Sequence, residues 1–277
     1  MRLDEALVQR GLVPTRSQAF TAVLDGKVCV NGQPARKAGQ KVGPLDELTV
    51  TRPPMWVSRG GEKLAHALER FALPVAGLRA LDVGASTGGF TDCLLQRGAR
   101  EVVAVDVGYG QFHWRLRHDP RVRLLERTNA RYLEPAAIGG AVELCVIDVS
   151  FISLARMWPA VRRCLVPEGR GVALVKPQFE AGRSEVGRGG VVRDQGVHRR
   201  VLADVERSAR EAGIGALDLV PSPILGPKGN VEFLMLLGPL EAPLDPRIVD
   251  AVLAEARLLT VRRGPAPGEG PRHPVTP

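Results

Sequence analysis

The stretch Leu81-Asp82-Val83-Gly84-Ala85-Ser86-Thr87-Gly88-Gly89-Phe90-Thr91 decides the fold. An apolar run from Leu78 to Val83, broken only by Arg79 and Asp82, predicts a strand that stops at Gly84. A helical pattern opens at Gly88-Gly89, with Phe90, Cys93, Leu94 and Leu95 on one face. A strand that turns through glycines into a helix lets backbone approach a ligand closely. The spacing is Gly-x-x-x-Gly-Gly, not the Gly-x-Gly-x-x-Gly that cradles a dinucleotide pyrophosphate, and the absence of Gly-Lys-Ser/Thr excludes a triphosphate loop. With Asp82 before it, the turn suits a ligand with a cationic amino-acid end better than one with phosphates.

The next predicted strand, Glu101 to Val105, ends on Asp106. A carboxylate about twenty residues past the glycine loop, at the end of the second strand, is placed to accept hydrogen bonds from both ribose hydroxyls. S-adenosylmethionine has a ribose, an adenine and an amino-acid tail but no phosphate, and it fits both observations. An unrelated α/β turn with Asp106 as a helix cap is the alternative; the glycine loop and the strand-end acid together favour a methyltransferase. Candidate cofactor contacts are Asp82, Gly84, Ala85, Ser86, Gly88, Gly89 and Phe90 around the turn, then Asp106 and Val107. Gly108-Tyr109-Gly110-Gln111 is a glycine-flexed cover for the adenosine, and Asn129 can face the adenine edge.

Five further strands follow: Val122 to Leu125, Glu143 to Ile147, Gly171 to Val175, Ala216 to Val220 and Val231 to Leu237. Helices are predicted over Ala155 to Cys164 and Val197 to Ala212, and residues 181 to 196, rich in Gly, Arg and Ser, read as a mobile basic loop. The pattern is α/β, a Rossmann-like seven-stranded sheet. Its last strand follows its predecessor by only about ten residues, too few for a crossover helix, so it runs antiparallel. Ligands of such sheets sit outside the carboxyl ends of the strands, where Asp82, Asp106, Asp148 and Lys176 fall. Glu232, second residue of the antiparallel strand, begins on that edge. Lys63, in the first turn of a helix with Leu64, Ala67, Leu68 and Phe71 at core spacing, sits where a cation is disfavoured and reaches the same mouth. A Lys-Asp-Lys-Glu cluster suits methylation of a ribose hydroxyl, which needs a base. Burial and a second cation lower a lysine's pKa while carboxylates raise it, and the balance is open at this level.

The chain has 277 residues, 44% of them hydrophobic and 4% aromatic, so Leu, Val and Ala fill its core. A net charge of +8 and pI near 9.8 favour a polyanionic partner. The cysteines at 29, 93, 145 and 164 make no metal spacing and read as core residues of a reducing compartment, hence a cytoplasmic protein; no metal is expected. No apolar run of eighteen residues is present, and no membrane is expected. Residues 1 to 60 hold nine Lys/Arg and five Asp/Glu, half the net charge in about a fifth of the length. They predict two short helices (around Leu3, Ala6, Leu7 and around Ala19, Phe20, Val23, Leu24, the second capped by Thr15 or Ser17), a strand at Lys27 to Val30, the hairpin turn Asn31-Gly32, and a closing strand at Glu47 to Val50. After Pro53-Pro54, Trp56 either joins two domains or covers the edge of one.

Leu3-Asp4-Glu5-Ala6-Leu7, Arg16-Ser17-Gln18-Ala19 and Gly26-Lys27-Val28-Cys29-Val30-Asn31-Gly32 resemble the S-four-like RNA-binding module of ribosomal proteins and pseudouridine synthases. The resemblance implies docking to structured RNA, with Arg2, Arg10, Arg16, Lys27, Arg36, Lys37 and Lys41 as candidate phosphate contacts, Arg16 and Lys27 foremost. Ser58-Arg59-Gly60-Gly61-Glu62-Lys63-Leu64, the glycine turn, Asp106 to Gly110, Glu126-Arg127-Thr128-Asn129, Asp148-Val149-Ser150-Phe151-Ile152-Ser153, Lys176-Pro177-Gln178-Phe179-Glu180 and Gly229-Asn230-Val231-Glu232 resemble the TlyA family over residues 1 to 240. That resemblance implies an FtsJ-like ribose 2′-O-methyltransferase behind the S-four-like module, acting on cytidine in ribosomal RNA or ribosomal subunits. It implies a catalytic tetrad of Lys63, Asp148, Lys176 and Glu232 with Lys176 as base, and cofactor contacts that include Asp148 and Phe151. One departure is Pro54, where family members can have arginine two residues before the Trp.

The expected organisation is a small α+β module at 1–53, a linker at 54–60, a methyltransferase domain at 61–262 and a disordered tail at 263–277. Two other functions compete. A haemolysin, the name some family members carry, needs an amphipathic or apolar membrane segment, and none is visible. A non-catalytic RNA-binding protein would be favoured by loss of Asp106 or Lys176, and both are present.

Overall fold

The structure, a computed structural model, describes residues 1–50, 55–240 and 242–261. Pro53, Pro54 and the tail expected at 263–277 lie outside the described residues. The chain divides into two compact units, Met1–Met55 and Trp56–Pro277.

In the first unit, α1 (Leu3–Gln9) and α2 (Arg16–Leu24) cover a three-stranded antiparallel sheet in the order β2-β1-β3, formed by β1 (Val28–Val30), β2 (Gln33–Pro34) and β3 (Leu48–Val50). Leu3, Leu7, Ala19, Val23, Val28 and Leu48 make its core. The Thr15 hydroxyl accepts the Gln18 N–H and caps α2, which settles the choice between Thr15 and Ser17. Asn31 and Gly32 both take positive φ, 51° and 75°, as a two-residue hairpin of the favoured hand requires. The return strand is the two-residue β2, too short to read in sequence; β3 pairs on the other side of β1.

The second unit begins with α3 (Gly60–Arg70), β4 (Arg79–Val83) and α4 (Gly89–Gln96). It continues through β5 (Glu101–Val105), α5 (Trp114–Arg117), β6 (Val122–Leu125), α6 (Pro135–Ile138), β7 (Val142–Ile147), α7 (Trp158–Cys164), β8 (Leu165–Val175) and α8 (Pro177–Glu180). It closes with α9 (Gln195–Glu211), β9 (Gly215–Pro221), β10 (Phe233–Gly238) and α10 (Pro246–Val261). The seven strands run in the order β6-β5-β4-β7-β8-β10-β9, and β10 is antiparallel to both its neighbours. Strands with apolar residues on both sides are covered by helices on both faces, and the two buried clusters divide accordingly: Leu81, Val83, Val103 and Ile147 on one, Ala80, Val102, Leu144 and Val146 on the other. Trp56 packs with the second cluster, its ring filling the space beside Gly61 where any side chain would collide.

Two elements differ from the sequence expectation. β8 starts at Leu165 rather than Gly171, because residues 166–169 bulge: Val142 faces Leu165, but two residues on Leu144 faces Arg170. The stretch expected to be a mobile loop carries specific bonds: a short 3-10 turn (Arg183–Glu185), a bridge between Gly187 and Val191, and ties to Asn230.

Candidate active site

The strand order reverses between β4 and β7, so the loops after them diverge and leave a crevice. The two strand ends meet at Gly84, φ 84°, where a Cβ would run into the Asp148 carbonyl. Only glycine fits there. Two cavities of about 310 and 350 Å³ open at this edge and share Gly84, Ser86, Asp148 and Ser150 in their walls.

The larger is lined by Val105, Asp106, Val107, Gln111, Thr128, Asn129, Ala130, and by apolar residues from Val149 to Met157. Of its two carboxylates, Asp106 and Asp148, the first is already oriented. Asp106 Oδ2 accepts the Ser86 N–H at 2.7 Å, and Oδ1 accepts the Gly108 N–H at 2.6 Å and Gln111 Nε2 at 3.3 Å. Asn129 Oδ1 accepts the Arg131 N–H at 3.1 Å and so caps a 3-10 turn rather than standing free. Phe151, with φ of 64° and 90% exposed, tilts against Phe179 with ring centroids 4.9 Å apart. The loop that carries it is tied down by Glu180, which accepts Ser153 Oγ at 2.7 Å and the Leu154 N–H at 2.8 Å. Burial pushes the Glu180 carboxyl above its ordinary range.

The smaller cavity gathers Lys63, Asp148, Lys176 and Glu232, together with Ser58, Arg59, Gly60, Phe90, Ser150 and Pro227. The four form two ion pairs. Lys63 Nζ lies 2.5 Å from Glu232 Oε2, both side chains being buried, and Gln178 Nε2 adds a hydrogen bond to Glu232 Oε1 at 3.3 Å. Glu232 offsets the placing of a cation in the first turn of α3. Lys176 Nζ lies 2.6 Å from Asp148 Oδ1, but off the line of a hydrogen bond, which it donates instead to Ser150 Oγ at 2.8 Å. Glu232 immediately precedes β10, which starts at Phe233 rather than Val231, and its backbone carbonyl accepts the Ser222 N–H.

Two of the expected cofactor contacts, Asp82 and Gly88, lie off both cavities. Asp82 is wholly buried inside β4 and lines neither cavity; one oxygen accepts Thr91 Oγ at 2.6 Å and the other has no partner. Burial raises its pKa to about 7, with the Thr91 bonds opposing. It anchors α4 from behind. Gly88, φ 96°, also lies off the cavities; a side chain there would strike Leu116 and Phe112, so its glycine answers to packing. Gly84, Ala85, Ser86, Gly89 and Phe90 do line the smaller cavity, and Asp106, Val107, Asn129 and Phe151 the larger. Sequence reasoning gave no part to Ser150 or Pro227.

In the first unit the candidate phosphate contacts separate. Arg2 and Arg16 pair with Asp4, whose carboxyl the two guanidiniums, Arg2 first, hold down at about 2. Lys27 pairs with Asp25 at 2.6 Å, and Arg10 donates to the carbonyls of Gly43, Pro44 and Asp46. Arg36, Lys37 and Lys41 are exposed, and among the described residues no hydrogen bond or ion pair engages their side chains. The two foremost candidates, Arg16 and Lys27, thus face neighbouring acids, whereas Arg36, Lys37 and Lys41 face none.

Residues 56–239 match the family model of FtsJ-like methyltransferases, and residues 1–48 that of the S4 domain. The 16S/23S rRNA (cytidine-2′-O)-methyltransferase TlyA of Mycobacterium tuberculosis is 52% identical over 85% of this chain and 89% of that protein. The chain belongs to the TlyA family. Hemolysin A of Brachyspira hyodysenteriae is 39% identical over 84% of the chain and 98% of its own length. The solved structure of a hemolysin-named protein from Streptococcus thermophilus superposes with a TM-score of 0.74 at 43% identity, covering 95% of this chain and 98% of that one. Like its FtsJ-like relatives, this TlyA-family chain is a methyltransferase with an N-terminal S4 domain. Among the described residues no helix is long and apolar enough to cross a membrane, and no cluster of His, Cys, Asp and Glu is placed to hold a metal ion.

Proposed function

We propose that the chain transfers a methyl group from S-adenosylmethionine to the 2′-hydroxyl of a cytidine ribose in ribosomal RNA, in the cytoplasm where ribosomes are made. The observation that carries the reading is Lys176 Nζ, fixed by Asp148 and Ser150 at the seam of the two cavities. The residues present fit the cofactor. Asp106, with two oxygens fixed by backbone N–H groups, suits a ribose diol, and the apolar wall from Val149 to Met157 suits an adenine. The N-termini of α3 and α4 abut at Gly61 and Gly89, so the positive ends of two helices would suit the cofactor's carboxylate.

S-adenosylmethionine, when bound, supplies a methyl group on a sulfonium sulfur, open to attack by an oxygen. The chain's residues prepare that oxygen. A ribose hydroxyl is a weak nucleophile and needs a base within hydrogen-bond reach. Lys176 acts as base in its neutral form: the Nζ lone pair takes the hydroxyl proton, and the ammonium that results forms the ion pair with Asp148 seen here, while Ser150 fixes the direction of Nζ. Lys63, held by Glu232, donates a hydrogen bond that orients the hydroxyl. The base and cytidine assignments follow the name of the 52% identical relative and the tetrad its family implies. In this reading residues 1–53 dock the RNA through Arg36, Lys37 and Lys41, residues 54–60 connect, and residues 61–262 carry the chemistry.

The test is methyl transfer from labelled cofactor to each purified ribosomal RNA and subunit, with the modified nucleotide mapped. Incorporation on a base, or into no RNA at all, would remove the ribose assignment.

A further inference from the structure

We infer that the segments 182–193 and 226–230 form one basic platform beside the Lys63–Glu232 end of the site, and that it grips phosphates of the RNA strand carrying the target nucleotide. The inference rests on the RNA substrate proposed above, and it places a second RNA contact in the methyltransferase unit itself.

Asn230, 2% exposed, joins the two segments. Its Oδ1 accepts the Val192 N–H at 3.0 Å, and its Nδ2 donates to Gly190 O at 2.8 Å and Pro227 O at 3.2 Å. Its carbonyl accepts the Gly226 N–H at 2.8 Å. The turn it holds closes on itself through Gly187 N to Val191 O and Gly190 N to Gly187 O, both 3.0 Å, with Gly189 and Gly190 at positive φ. The buried His198 adds a ring nitrogen 3.0 Å from Val192 O and stacks edge-on against Phe233. A glycine-rich stretch is thereby fixed in one conformation, with Arg188 within the turn.

The other segment is continuous with the catalytic wall. Gly226 presses on the Glu232 carboxylate so closely that no side chain could stand there, and Pro227 lines the cavity with Lys63. Lys228 sits at φ 59°, a conformation that a long side chain adopts only under constraint, and its Nζ reaches over the Gly190 turn.

The charge here is one-sided. Arg183, Arg188, Arg193 and Lys228 are exposed, and among the described residues no hydrogen bond or ion pair engages their side chains. The one acid of these segments, Glu185, is spent on Arg200 and the Gly182 N–H, and Asp194, the residue that follows, accepts the Val197 N–H that caps α9. Some arginines elsewhere on the same unit, such as Arg70, Arg97, Arg121 and Arg247, are paired with carboxylates, while others, such as Arg59, Arg115 and Arg156, are exposed singly; here four unmatched cations fall on two segments held together by one residue. Four unmatched cations on separate backbone stretches suit a chain of phosphates rather than a single anion. Because the buried amide fixes their backbone in advance, less ordering entropy is lost on binding. Asn230 is then a positioning residue that aligns the grip on the strand with the carboxylate of Glu232.

The experiment measures binding of the full chain to its ribosomal RNA across a salt series for wild type, Arg188→Ala, Lys228→Ala, Lys228→Arg and Asn230→Ala, with cofactor affinity measured in parallel. Arg188→Ala and Lys228→Ala should each weaken RNA binding several-fold and flatten the slope of log K against log salt by about 0.7–0.9. Lys228→Arg should restore the slope, and cofactor affinity should not move. Asn230→Ala should flatten the slope further and also lower kcat, which loss of a phosphate contact alone would not do. Slopes for both cation variants equal to wild type, with RNA methylation intact, overturn the platform alone. Flattened slopes in a protein that methylates no RNA would keep the platform and overturn the proposed reaction.

Discussion

Removing one partner of the Lys63–Glu232 pair should destabilise the methyltransferase unit far more than removing both. The side chains are 9% and 0% exposed and the charged atoms 2.5 Å apart, so neither ion can fall back on bulk water if its partner is lost. Truncating one member of a buried pair costs about 3–5 kcal/mol, whereas replacing the pair by apolar residues of similar volume is often neutral or stabilising. The cavity beside Lys63 admits some water, which favours the lower end, about 3 kcal/mol for Lys63→Met or Glu232→Leu. At about 2–4 °C per kcal/mol for a unit of this size, each single variant should lower Tm by about 6–12 °C. The double variant should return to within about 1 kcal/mol of wild type, as expected when the stranded charge is gone. All three proteins should fail to transfer methyl groups, which separates the catalytic role from the structural one. Urea unfolding of the four proteins, followed by near-ultraviolet circular dichroism, completes the cycle. Single variants within about 0.5 kcal/mol of wild type, or a double variant equal to the sum of the singles, would refute the reasoning.

The other expectations follow from the same geometry. Lys176→Ala should abolish methyl transfer while calorimetry shows cofactor binding within a few-fold of wild type; near-normal turnover would move the base role to Lys63. Asp106→Ala should weaken cofactor binding by about 1.5–3 kcal/mol, the scale of charge-assisted hydrogen bonds, and unaltered affinity would show that the diol lies elsewhere. Asp82, whose pKa is raised to about 7 from 3.8, takes up its proton more readily folded than unfolded. Stability should therefore fall as pH rises between those two values, by up to about 4 kcal/mol. Asp82→Asn should flatten that fall in unfolding measured at pH 5 and pH 8, and an equal fall in the variant would remove Asp82 as its source. Lys37→Ala and Lys41→Ala should each flatten the salt dependence of RNA binding by about one contact, more than Arg16→Ala or Lys27→Ala, whose cations already face Asp4 and Asp25; the reverse ranking would mean that those ion pairs open on RNA.

What could be read in the sequence was what local rules govern. The turn at Gly84, the two-residue hairpin at Asn31-Gly32 and the antiparallel last strand all follow from chain stereochemistry and connection length. What could not be read was which charge finds which partner. Nothing local says that Asp4, twelve residues before Arg16, lies 3.2 Å from its guanidinium in the folded helix pair. The ties of Asn230 to residues forty positions away were equally out of reach, so a glycine-rich stretch looked loose when a buried amide holds it.

Asp82 is the instructive contrast, because its burial inside the sheet is legible in the sequence. Asp106, Asp148 and Lys176 are each the first residue beyond a strand, after Val105, Ile147 and Val175, and Glu232 is the last before one. A side chain at such a position leaves the sheet's edge and can enter the crevice. Asp82 lies one residue inside β4, between Leu81 and Val83. Within a strand, side chains alternate between faces, and both faces of a parallel sheet are covered by helices. Asp82 must therefore share the face of Ala80, under α4, where Thr91 is the group within reach. A carboxylate inside a parallel strand meets a helix, and a carboxylate one step past its end meets a ligand; counting from the last paired residue, Val83 opposite Val105 and Ile147, tells the two apart.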